Sequence, residues 1–267
     1  MLTLTLLTLP LSLSLPPLQD PDQEKPGPTK EQVEAALEQL DTAFSKKEAT
    51  EVYTALQSVQ LVTHPDVIEV FVDTGLRHKH ADVRRASIEA LGSLRHEHAL
   101  VGLHKHYKRK KKTLTKDAEQ FIPLLKAIAL HEDESSVQIL TDDIFSVRSP
   151  EVVKARILGL GKIRSQDSVE EIFDLMKKVD RRKVQPRMQD IRLALIVLTH
   201  VDQGTSQDMW LGWWNDNKKT FKLPKESPKL PKELANRWGR YWGEQRQYER
   251  QKRRGERGDD PEDDGDS

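Results

Sequence analysis

Residues 81–108 read A-D-V-R-R-A-S-I-E-A-L-G-S-L-R-H-E-H-A-L-V-G-L-H-K-H-Y-K, and residues 150–177 read P-E-V-V-K-A-R-I-L-G-L-G-K-I-R-S-Q-D-S-V-E-E-I-F-D-L-M-K. Laid over each other, Val83/Val152, Ala86/Ala155, Ile88/Ile157, Leu91/Leu160, Gly92/Gly161 and Arg95/Arg164 coincide. In each copy the apolar positions recur at steps of three and four, which reads as one helix, a short polar turn and a second helix. The copies are 69 residues apart. That is about twice the ~30–40 residues of a paired-helix repeat, so a further unit is expected between them. Glycine inside a helix costs ~0.5–1 kcal/mol relative to alanine. Its recurrence at 92 and 161 therefore predicts a close helix approach where no Cβ fits.

The 267 residues suffice for one sizeable domain with tails. Lys and Arg number 43, as do Asp and Glu, so no global field favours nucleic acid or a membrane. The chain has no cysteine, which excludes disulfides, thiol chemistry and lipid attachment through that residue.

Working outward, residues 1–15 are apolar apart from Thr and Ser. They are short of the ~20 residues that span a bilayer as a helix. They suit the apolar region of a signal peptide, with Ser12 and Ser14 as a small-x-small cleavage site, although no basic residue precedes Lys25. A periplasmic or secreted location is the expectation, with no transmembrane span. An uncleaved apolar N-terminus in the cytoplasm is the alternative. Residues 16–28 form a Pro-rich linker.

The folded region is expected over 29–221. It opens with a capping box at Thr29 and Gln32, followed by a stripe of Val33, Ala36, Leu37 and Leu40. A loose first repeat covers 48–78. A disguised third covers 116–146, where Ala127, Ile128, Val137 and Leu140 overlay Ala90, Leu91, Leu100 and Leu103. A fifth unit begins near Gln189. Trp210, Trp213 and Trp214 then place indoles on one helix face, as an aromatic cap or docking surface closing an open core. Residues 222–231 form a second Pro-rich linker. A charged amphipathic helix is expected over 232–254, with Leu234, Trp238, Tyr241 and Tyr248 in its stripe. Residues 255–267 read as a disordered acidic tail.

The segment D-V-R-R-A-S-I-E-A-L-G-S-L and its echo resemble the HEAT repeat, in its short bacterial, PBS-lyase-like type. The W-x-x-W-W segment is similar to the close of exported bacterial HEAT-repeat proteins of unassigned role. The resemblance covers roughly 48–200. It implies an all-α, right-handed α-solenoid of about four to five helix pairs, armadillo-like in architecture. It further implies a non-enzymatic protein-interaction scaffold that binds another protein on its concave face. It transfers no catalytic, metal or cofactor residue.

Two site readings compete with this one. Lys105, Lys108, Arg109, Lys110, Lys111 and Lys112 form the densest basic run, placed at the end of a second helix and at the turn after it. This is a candidate polyanion edge, without a sign of specific nucleic-acid recognition. The remote alternative is a di-iron hydroxylase, by similarity to deoxyhypusine hydroxylase, whose His-Glu pairs lie on successive repeats. Here only His96-Glu97 and His131-Glu132 are available, and both fall after the A-L-G segment rather than before it. The pairs His78-x-His80, His96-x-His98 and His104-x-His106 point in divergent directions on a helix and read as turn residues. No phosphate loop, nucleophile elbow or paired-carboxylate arrangement is present.

Overall fold

The computed structural model describes residues 27–46, 49–60, 62–226 and 228–243. The expected signal peptide, most of the first linker, the acidic tail and Tyr248 lie outside these residues. Among the described residues the chain is helical, without strands, and no helix is long and apolar enough to cross a membrane.

The helices in chain order are α1 (Lys30–Ser45), α2 (Ala49–Val59), α3 (Pro65–Asp73), α4 (Ala81–Leu94), α5 (Glu97–Leu114), α6 (Ala118–Leu130) and α7 (Val137–Thr141). They are followed by α8 (Pro150–Lys162), α9 (Gln166–Lys178), α10 (Arg181–Val184), α11 (Met188–Thr199), α12 (Gln207–Asn217) and α13 (Lys232–Trp242). The capping box at the start of α1 is present, with Thr29 Oγ1 and the Gln32 side chain each accepting from the other residue's backbone N–H. Neighbouring helices pack in two rows. In one row α2, α4, α6, α8 and α11 touch in succession, while α3 meets α5, and α7 and α12 each meet α9, in the other.

The glycine expectation has a direct geometric counterpart. A Cβ on Gly92 would stand 2.7 Å from Ala127 Cα, and one on Gly161 would stand 2.9 Å from Ala194 Cα. Contact under 3 Å with backbone leaves room for hydrogen only. The recurring glycines are therefore where α4 meets α6 and where α8 meets α11.

The segment 116–146 departs from the expected pattern. Its second helix, α7, has five residues. Val137, Ile139 and Leu140 are buried as the periodicity requires, and Ile144 and Val147 continue the core from irregular chain. The missing turns leave carbonyls without helical partners. Arg156 of α8, fully buried, supplies them, with Nη1 donating to Ile139 O at 2.7 Å and Leu140 O at 3.0 Å.

From Leu193 to Thr199 every residue of helix α11 is buried, and a helix stretch of that kind must be covered on every side. Its outer cover comes from the C-terminal segment. Arg164 clamps the second linker by donating from Nη2 to Pro224 O at 2.6 Å and Glu226 O at 2.7 Å. Helix α13 then lies on α11 and α8, with Trp238 against Gly161 and Arg237 paired with Asp190. The amphipathic helix expected to reach 254 ends at Trp242, because Gly243 takes φ +80° and closes it; residues 244–254 lie outside the described residues.

Candidate functional site

Helix α5 runs to Leu114, two turns beyond Lys108, so the basic run lies inside a helix and not at a turn. Helical geometry spreads consecutive residues around the axis, so Lys105, Lys108, Arg109 and Lys112 share one face at i, i+3, i+4 and i+7, while Lys110 and Lys111 lie off it. Lys111 faces α7 and is paired with Asp142 at 2.7 Å and Asp143 at 3.0 Å. Lys105, Lys108, Arg109, Lys110 and Lys112 are exposed. Of these, Arg109 and Lys110 line a cleft of about 540 Å3, while Lys105 lines a neighbouring groove between α3 and α5. Arg109 and Lys110 thus face a cleft whose other walls come from several elements.

The other walls of that cleft are Arg77, His78 and Lys79 from the turn after α3, Arg84 from α4, and Asp117 and Gln120 at the start of α6. Each is fixed by local chemistry. Asp117 caps α6 by accepting from Gln120 N at 3.2 Å, and Gln120 Nε2 donates to Ala81 O at 3.0 Å. Arg77 reaches back to Asp73 at 2.8 Å. The Arg84 guanidinium donates to His78 O at 2.8 Å and Lys79 O at 2.9 Å, which sets the turn. Sequence reasoning finds Arg109 and Lys110 because they are contiguous. It misses Arg77, Lys79, Arg84 and His106 because folding alone brings them together. The available signal is His106, which sits on the apolar stripe of α5 with Leu103 and Tyr107.

His106 is only 5% exposed, and its Nδ1 has no hydrogen-bond partner. Burial, then the positive charges of Arg109, Lys110, Arg84 and Arg77, push its pKa from 6.5 down to about 4. The unfolded chain therefore binds a proton that the folded chain refuses between these values. Stability is fully retained above about pH 6.5 and falls as pH drops toward 4, with a slope on the order of 1 kcal/mol per pH unit from this residue. His104 and His131, also lowered chiefly by burial, act in the same direction. Urea unfolding of wild type and His106→Gln across this range should show a flatter profile in the variant. An unchanged slope would contradict the assignment.

His64, His96 and His131 are engaged structurally. His96 Nδ1 accepts from His98 N at 3.1 Å and caps α5, as His64 Nδ1 caps α3. His131 Nε2 meets Leu91 O at 3.0 Å, and Glu132 bridges Arg95 and Lys162 at 3.3 and 3.4 Å. Of the His-Glu pairs considered for iron, His96 is thus spent on a cap, His131 on a backbone carbonyl and Glu132 on two ion pairs. Among the described residues no three potential ligands converge on a metal position.

The aromatic residues separate into two clusters. Trp210, Trp213 and Trp214 pack on Phe173 of α9 and on Phe221, with Phe173 and Trp214 stacked at 4.5 Å. Trp210 is fully buried and donates to Gly204 O at 2.9 Å. Trp214 is likewise buried, and Trp213 is partly buried against the same core. Trp238 and Tyr241 belong to α13 with Trp242, which the sequence stripe omitted despite its i, i+4 spacing from Trp238. Lys126 lies over the Tyr241 ring at 4.5 Å and donates to Tyr241 O at 2.6 Å, with Lys154 and Lys162 within 6 Å of the same aromatic group.

Compared with known proteins, the chain matches no family model and no curated protein.

Proposed function

We propose that this chain is a HEAT-like, right-handed α-solenoid acting as a non-enzymatic protein-interaction scaffold outside the cytoplasm. The packing of α4 on α5 and of α8 on α9, each with its neighbour in the chain, supports the repeat reading. The observation that carries the function is α13. An amphipathic helix arriving through an extended linker lies across α6, α8 and α11, held by aromatic burial and by lysines over its rings. Binding of an amphipathic helix by stacked helix faces is a common mode of peptide recognition, and here it occurs within one chain.

A chain ending at Pro231 should bind a synthetic peptide of residues 230–243 saturably. Trp238→Ala in the peptide should weaken that binding at least about tenfold, as loss of a central aromatic anchor does. Proteins retained from native extract by the shortened chain should be displaced by the same peptide. Failure of the peptide to bind, or retention indifferent to it, would remove the scaffold reading for this face. N-terminal sequencing of the mature protein tests export, and an intact Met1 would overturn it.

A further inference from the structure

We propose that the cationic cleft between α3, α4, α5 and α6 is a binding site for a small organic anion carrying a phosphate or sulfate group. This inference is independent of the scaffold reading, since the cleft shares no residue with the face under α13.

Charge is the first argument. Arg77, Lys79, Arg84, Arg109 and Lys110 line one cleft, and Asp117 is the lone carboxylate among its described walls. Asp117 is occupied as a helix cap, and Asp73 serves Arg77 alone. No described carboxylate pairs with Lys79, Arg109 or Lys110. Like charges gathered without internal counter-ions oppose folding, and an anion in the cleft removes that repulsion.

Preorganisation is the second. Two backbone carbonyls hold Nη1 of Arg84, which leaves the rest of its guanidinium in a fixed position. Guanidinium groups grip tetrahedral oxyanions with parallel donors. Leu76 and Leu114, both buried, contribute an apolar floor that lowers the local dielectric. His106 forms part of the wall, and among the residues lining the cleft its Nδ1 is a buried polar atom without a hydrogen-bond partner. Orphaned buried donors and acceptors are uncommon and call for a partner.

Size and shape select the ligand class. About 540 Å3 lies within the ~300–1,000 Å3 typical of small-molecule clefts. A nucleic-acid backbone needs a continuous track of cations, whereas Lys111 is consumed by Asp142 and Asp143 and faces another side of α5.

Calorimetric titration of the full chain with glucose 6-phosphate, a sulfated heparin disaccharide, and sodium chloride at matched ionic strength tests the site. Saturable binding of the phosphate or the sulfated probe is expected, and whichever binds identifies the source of the oxyanion. Arg109→Gln and Lys110→Gln, exposed and free of internal ion pairs, should each weaken binding about tenfold. Lys112→Gln on the same helix should leave it unchanged. The His106 imidazole should shift its NMR titration on addition of the bound probe. The proposal is overturned by heat indistinguishable from chloride, by Lys112→Gln weakening binding as much as Arg109→Gln, or by preference for a DNA oligonucleotide with loss spread over every lysine of the run.

Discussion

Arg156→Met is expected to cost about 2–6 kcal/mol of folding stability, at ~1–3 kcal/mol for each of the two buried carbonyl oxygens it leaves without a donor. Methionine keeps much of the volume but none of the donors. The carbonyls of Ile139 and Leu140 would lose their shared partner in a buried site. Tyr107, whose hydroxyl donates to Asp142 Oδ2 at 2.8 Å and accepts from Arg156 Nη2 at 3.4 Å, would lose its link to α8. The cation lying 5.2 Å from the Phe121 ring would also be gone. Denaturant unfolding measures the total. Combining Arg156→Met with Tyr107→Phe should cost less than the sum of the two, because they share one network. A loss under about 1 kcal/mol, or strict additivity, would show that α7 is held by its apolar contacts alone.

Gly92→Val is expected to cost at least about 3 kcal/mol, at the upper end for overpacking, because the colliding atom is backbone. A side chain can rotate away, but Ala127 Cα at 2.7 Å moves only with α6. Helix propensity alone would favour Gly92→Ala by up to about 1 kcal/mol, so even a modest net loss in that milder variant isolates the clash. Gly212→Ala in α12 is the internal control. A Cβ there meets nothing within 4 Å, and the substitution should stabilise by about 0.5–1 kcal/mol. If Gly92→Ala stabilised to the same degree as Gly212→Ala, the close approach of α4 and α6 would be wrong.

The sequence was most legible where the physics is local. Apolar spacing located the helix pairs within a few residues, Thr29 and Gln32 marked the first helix start, and the repeated glycines marked two contacts between helices distant in sequence. Position 142 shows where that legibility stops. Asp142 and Asp143 accept Lys111 from another helix and end α7 early, and the compensating donor comes from Arg156, far along the chain. No window of sequence contains both halves of that exchange. The same holds for the candidate site, where the contiguous basic run was visible but its helical twist sends Lys111 and Arg109 to different neighbours. The aromatic residues were visible as stripes on two helices, yet their division between the cluster around Phe173 and α13 depends on which surface α11 needed covered.

The Arg164 clamp on Pro224 and Glu226 has a consequence for competition. Only residues 227–231 separate the clamped Glu226 from the start of α13. A helix delivered by so short a tether meets its face at an effective concentration on the order of millimolar. An external helix of equal intrinsic affinity, present at micromolar concentration, would occupy the face about a thousandfold less often. Releasing the clamp doubles the free span back to Phe221 and lowers the effective concentration only about threefold, by the −3/2 power of length. The linker thus sets a threshold in concentration units. A partner for the face under α13 must bind far more tightly than α13 itself or be supplied on a tether of its own.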